Sequence, residues 1–169
     1  SLRNSIGTIL QDPFIYSKSI RDNIKLYFDI SDDKIEEAVE LASASDFVDS
    51  LENGIDEIAA ERGSTYSAGQ KQLIAFTRIF AKNPAIFILD EATANIDTKT
   101  EELIQRSVDK ISSEKTSIFI AHRLSTIVNV DKIFVLNKGR IIEEGNHQFL
   151  IDQNGYYANL YNAYYNSLV

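Results

Sequence analysis

The sequence predicts an α/β fold in which helices cover a mostly parallel sheet, and three observations carry that expectation. AIFIL at 85–89 is an unbroken apolar run, the pattern of a strand buried on both faces, and TSIFIA at 116–121 reads as a second buried strand. Between them Ile104, Val108 and Ile111 recur at helical spacing. Strand, helix, strand in that order is how a parallel pair is joined by its crossover helix.

Each element has its own local reason. Ile6, Ile9 and Leu10 read as a short strand that QDP stops, leaving a loop at Gln11. Ile35, Ala38, Val39 and Ala42 predict one helix from Ser31 to Leu51, with Ser31 or Asp32 as N-cap and acids in the first turn. A second helix is expected from Gln70 to Ala81, with Leu73, Ile74, Thr77 and Phe80 or Ala81 facing inward, so that 13–82 is mainly helical. A third opens at Thr98, where Thr98-Lys99-Thr100-Glu101 has capping-box spacing. KIFVLNKGRIIEE at 132–144 reads as a hairpin turning at Asn137-Lys138-Gly139, and GYYANLYNAYYNSL as a terminal helix whose tyrosines pack.

Composition narrows the function. With 169 residues, 44% of them hydrophobic and 25% charged, the chain suits one domain with a real core. A net charge of −8 argues against nucleic acid or an anionic membrane surface as the main partner, since both demand clustered Lys and Arg. The chain has no cysteine, hence no disulfide framework and no thiolate metal site. No apolar run approaches the roughly 18–20 residues of a spanning helix. SLRNSIGTIL, without a methionine, reads as the approach to a buried strand, and a start partway through a larger protein is expected.

Ligands of parallel sheets gather at the carboxyl ends of the strands. After AIFIL come Asp90 and Glu91. Acids at the edge of a core either meet a cation, with Asp90 on magnesium and Glu91 orienting or deprotonating a water, or simply face solvent or cap the next helix. After TSIFIA comes His122, with Arg123 beside it; an imidazole there can donate to a phosphoryl oxygen. GSTYSAGQ at 63–70 stands before an amphipathic run: Ser67 is a good N-cap, Gly69 permits close backbone approach, and the helix start can bind an anion. A plain cap explains the same residues.

Together, GSTYSAGQKQLIAFTRIFAKNPAIFILDEATANID and IAHRLSTI resemble the ATP-binding domain of ABC transporters, especially exporters with a fused membrane domain. YSAGQ matches the signature motif, AIFILDE the Walker B, ANID the D-loop, His122 the switch histidine, and Gln11 in ILQDPFIYSKSIRDNI the Q-loop. ERG at 61–63 matches the loop by which exporters touch the coupling helices of the membrane domain. The resemblance implies a P-loop NTPase, a RecA-like core with a parallel sheet, incomplete here, plus the ABC α-helical subdomain. Its divisions would be 1–12, core strand and Q-loop; 13–82, mainly helical subdomain with the signature; 83–146, core with Walker B, D-loop and switch histidine; 147–169, C-terminal helices.

It further implies Asp90 and Gln11 on Mg2+, Glu91 as catalytic base and His122 on the γ-phosphate. Gln11, Ser67, Ala68, Gly69, Gln70 and Asp97 would contact ATP, the signature residues closing over nucleotide held by a second ATP-binding domain. The parent would be a membrane-anchored ATPase, this domain lying on the cytoplasmic side and powering export. Two residues depart from the signature pattern, Tyr66 for leucine and Ala68 for the first glycine. No GxxxxGK[ST] phosphate loop occurs among the seven glycines, so the chain alone is expected to be inactive. A chromosome-maintenance or repair ATPase, which shares this logic but needs a basic DNA-facing stripe, and a regulatory module without turnover are the alternatives.

Overall fold

A computed structural model of the chain describes residues 5–90, 96–121 and 124–166. The chain forms two compact units, Ser1–Ile120 and Ala121–Val169, each with its own hydrophobic cluster. In chain order the first unit runs β1 (Ile6–Ile9), α1 (Ile20–Lys25), α2 (Asp32–Leu41), α3 (Ser45–Asp49), α4 (Ala68–Lys82), β2 (Ile86–Asp90), α5 (Thr98–Glu114) and β3 (Thr116–Ile120). The second holds β4 (Ile133–Asn137), β5 (Arg140–Gly145), α6 (His147–Asp152) and α7 (Tyr156–Asn166).

β1, β2 and β3 form a parallel sheet in that order, with Ile9 opposite Leu89 and Asp90 opposite Ile120. The end of α4 closes on β1 at Gly7: a Cβ there would lie 2.7 Å from Pro84 Cγ and 2.8 Å from Ile79 Cδ1. Beneath α4 and α5 lie Phe76 and Phe87, both 0% exposed with ring centroids 6.2 Å apart, together with Ile104, Val108 and Ile111. The sheet is not buried on both faces as the apolar runs predict. Phe87 and Leu89 are buried, whereas Ile118 and Ile120 are 48% and 50% exposed. The cause is one-sided cover: α4 and α5 pack on each other and on the face that carries Phe87, Leu89 and Phe119.

The expected helix over 31–51 is two helices. Ser43 takes a left-handed φ of 53°, and its N–H and that of Ala44 donate back to Glu40 O and Val39 O at 2.9 Å each, closing the first helix with a Schellman turn. Ala42 and Ala44, 0% and 2% exposed, bury the corner. α5 also differs at its start. Asp97, not Thr98, is the N-cap, its Oδ1 accepting from Thr100 N at 3.0 Å. α4 has Ser67 as its cap, as the sequence predicts, but begins at Ala68, two residues before the expected Gln70, and ends at Asn83 in the left-handed region just before Pro84.

In the second unit β4 and β5 form the expected hairpin, with left-handed φ values at Lys138 (49°) and Gly139 (75°) making its tight turn. The expected terminal helix is α7, preceded by the shorter α6. The Glu143 carboxylate caps α7 by accepting from Tyr156 N and from Tyr157 N at 2.9 Å. Tyr157, 2% exposed, shares a 2.8 Å hydrogen bond with His147 Nδ1, so the buried tyrosine keeps a partner for its hydroxyl.

Candidate functional site

The parallel register brings two predicted residues to one edge. Asp90, half-buried, is the last residue of β2, and exposed Gln11 leaves β1 two positions beyond Ile9, which pairs with Leu89. Glu91 and His122, expected beside them, lie outside the described residues. Among the described residues no group of three His, Cys, Asp or Glu is poised to hold a metal. One carboxylate and a neutral amide suit a hard cation such as Mg2+, which keeps several waters and draws its remaining oxygens from phosphate.

The first turn of α4 is the second part. Ser67 Oγ accepts from Gln70 N at 3.2 Å, and the Gln70 side chain accepts from Ser67 N at 2.9 Å, a complete capping box. The cap uses the Gln70 amide and leaves the N–H groups of Ala68 and Gly69 in the turn where a helix has no acceptor of its own. Positive end, first-turn amides and a polar cap are what a phosphate oxygen requires. Gly69 is explained differently from the sequence reading. A Cβ on it would lie 2.4 Å from Thr100 Cγ2 and 3.2 Å from Ile96 Cγ2, so the close approach it allows is between α4 and the start of α5.

That contact sets Asp97 beside the signature turn, because Asp97 caps the helix on which Thr100 sits. Hydrogen bonds from Thr100, backbone amide first, hold the exposed Asp97 carboxyl below its ordinary range. Tyr66, one of the departures from the signature pattern, turns edge-on to Phe47, with centroids 5.6 Å apart, and burial raises its phenol. At the family's leucine position the tyrosine thus serves packing within the helical part. The ERG turn is likewise structural locally: Gly63, with φ 62°, meets Ile15, whose Cβ would stand 3.0 Å from an added side chain.

Two polar groupings escape the sequence reading. Gln72, 1% exposed, donates from Nε2 to Gln11 O at 3.0 Å and to Leu10 O at 3.3 Å, while its Oε1 has no hydrogen-bond partner among the described residues. Asn23, 0% exposed, accepts from Tyr16 N at 2.8 Å and donates to the carbonyls of Tyr16 and Ser19 at 2.9 and 3.0 Å. Arg78 on α4 locks that knot, its Nε 2.6 Å from Asn23 O and its Nη2 2.9 Å from Asn23 Oδ1. Burial lowers the Arg78 guanidinium to about 10, so it stays charged at neutral pH. The helical pattern carried a signal on the α4 side alone, where Gln72 and Arg78 interrupt the apolar face; nothing in it pointed to their partners.

The structure therefore ties Gln11 to α4 through Gln72, and α4 to Asp97 through Gly69 and Thr100, while Asp90 joins them by strand register alone. Comparison with known proteins bears on the family and the fold. The family model described as ABC transporter matches residues 1–94. YknV of Bacillus subtilis, an uncharacterized ABC transporter ATP-binding protein, is 46% identical over 170 residues, covering 100% of this chain and 28% of its own. YheH of the same organism, named as a probable multidrug resistance ABC transporter ATP-binding/permease protein, is 45% identical over 161 residues, 95% of this chain and 24% of its own. The solved structure of a bacterial Atm1-family ABC exporter with ATP bound superposes with a TM-score of 0.88 at 39% identity, over 96% of this chain and 29% of that one. The chain spans between 24% and 29% of these relatives. With the family model, these sequences and the solved fold in agreement, the chain belongs to the ABC transporter family and has the P-loop NTPase fold of its ATP-binding domain.

Proposed function

We propose that this chain is part of an ATP-hydrolysing domain that powers export across a membrane, working with a second ATP-binding domain and with the coupling helices of a transmembrane domain. The observation that carries the reading is the shared edge: the β1–β2 register puts Gln11 and Asp90 at the carboxyl ends of neighbouring strands, where this fold class receives ligands. Relatives whose names join ATP-binding to permease support the fused arrangement. No helix among the described residues is long and apolar enough to cross a membrane, so a membrane-spanning part is sought elsewhere in such a protein.

Magnesium ATP would supply the scissile phosphoryl group and the cation that neutralises it. Asp90 would offer the cation a carboxylate ligand and Gln11 an amide oxygen. Glu91, next after Asp90, would take the proton of the attacking water. His122 would donate to the γ-phosphate. Ser67, Ala68, Gly69, Gln70 and Asp97 would close over the nucleotide of the second domain. Without a GxxxxGK[ST] loop in its sequence, the isolated chain is expected neither to hydrolyse nor to bind ATP well, and a fluorescent-nucleotide titration checks that.

Turnover of the full-length protein with Glu91→Gln tests the assignment. The substitution removes a general base and keeps the shape, so kcat is expected to fall on the order of a hundredfold or more with nucleotide affinity retained. Unchanged turnover would contradict the reading.

A further inference from the structure

We propose that Gln72 is a positioning residue: its carboxamide clasps the main chain at Leu10 and Gln11 to α4, so that the loop after β1 and the signature turn move as one body. Gln72 stands five residues into α4 counting from Ala68, on the helix that Ser67 caps, and reaches a loop 61 residues away in sequence. The amide orientation follows from chemistry. Both groups it meets are carbonyl oxygens, so Nε2 must face them, and Oε1 is left in a site less than 1 Å2 exposed. A buried Gln that satisfies only its donors does not serve stability efficiently, because an unpaired acceptor offsets what the donors contribute.

The geometry instead suits control of Gln11. Gln11 is exposed, as is Leu10 at 56%, so the side chains of this loop have little burial to hold them. The main chain just behind Gln11 is fixed by Gln72, and the segment after it, from Tyr16 to Ser19, by the Asn23–Arg78 knot. Both anchors reach back to α4. A displacement of the signature turn along the helix axis would therefore be transmitted to the Gln11 backbone through Gln72, and to Tyr16 through Arg78 and Asn23.

Two variants and two readouts test the clasp. Gln72→Met keeps length and loses the donor. Gln72→Glu donates only while protonated, and burial against two carbonyls raises its pKa, so its clasp is present at low pH and is lost as pH rises through that raised value. Hydrogen exchange of the amides over 9–16 in the folded chain is the first readout and involves no nucleotide. Gln72→Met is expected to speed exchange there by roughly tenfold while the amides in the middle of α4 keep their protection. Gln72→Glu should match wild type on the acid side and Gln72→Met on the alkaline side, once the intrinsic pH dependence of exchange is removed. Exchange over 9–16 that is unchanged in Gln72→Met, or that speeds equally throughout the first unit, overturns the proposal.

The second readout rests on the proposed function. In the full-length protein Gln72→Met is expected to lower kcat by about tenfold with KM for ATP within about twofold, as befits a residue that places Gln11 and does not bind nucleotide. A change confined to KM overturns the positioning role. Should the wild-type protein hydrolyse no ATP, the proposed function fails, and the exchange measurement still decides whether the clasp exists.

Discussion

Gly69 and Thr100 are the closest-fitting pair at the candidate site, and their contact has a direct test. Gly69→Ala places a methyl 2.4 Å from Thr100 Cγ2, and overpacking of this kind costs about 1–3 kcal/mol. Thr100→Ser deletes the clashing methyl, so the double variant should regain most of the loss in urea titrations. A double variant as unstable as the single would place the strain elsewhere. Asn23 is the other residue whose loss is costly. Asn23→Ala removes the side-chain partner of the Tyr16 N–H and carbonyl and of Arg78 Nη2, and a loss of about 3 kcal/mol is expected in the same titration. Neither contact could be read from the sequence. Asn23 sits in SIRDNI with no periodic pattern around it, and Gly69 carries signals for a cap, a ligand and a tight helix crossing alike.

At the scale of elements, the start of α5 carries a pH dependence. Asp97 has a folded pKa lowered by the Thr100 hydrogen bonds, so the stability it contributes is present above the unfolded carboxylate range and is lost as pH falls through the lowered folded value. Asp56, lowered chiefly by its hydrogen bond from Arg21, and Asp32, lowered chiefly by that from Lys25, act in the same direction. The midpoint of thermal unfolding should thus fall as pH is taken below about 4, and Asp97→Asn, which still caps but does not titrate, should show a shallower fall. An identical fall in both proteins would remove Asp97 from the acid response. Helix starts were legible where one residue alone fits the cap, as at Ser67, and misplaced by one where Asp97 and Thr98 compete. The end of α2 was not legible, because a Schellman turn usually shows a glycine and here uses Ser43. Strand positions were read from apolar runs, but such runs do not reveal which face a helix covers, hence the exposed Ile118 and Ile120.

For the molecule as a whole, the alternation of strand and helix made the parallel sheet readable, since AIFIL and TSIFIA admit few other arrangements. That Gln11 and Asp90 share one sheet edge was readable, because Gln11 follows the apolar run of β1 and Asp90 closes that of β2. What could not be read was the linkage, since Gln72, Arg78 and Thr100 act across 31 to 62 residues of sequence that local patterns do not encode. We propose that the start of α4 serves as an anion site and is more than a cap. Ser67→Asp separates the two roles, because aspartate caps a helix as well as serine does but sets a negative charge where a phosphate oxygen would stand. Measured on the full-length protein, its melting temperature should stay within a few degrees of wild type while ATP turnover falls by about tenfold or more. Wild-type turnover in a stably folded Ser67→Asp protein would contradict the account and leave GSTYSAGQ a cap alone.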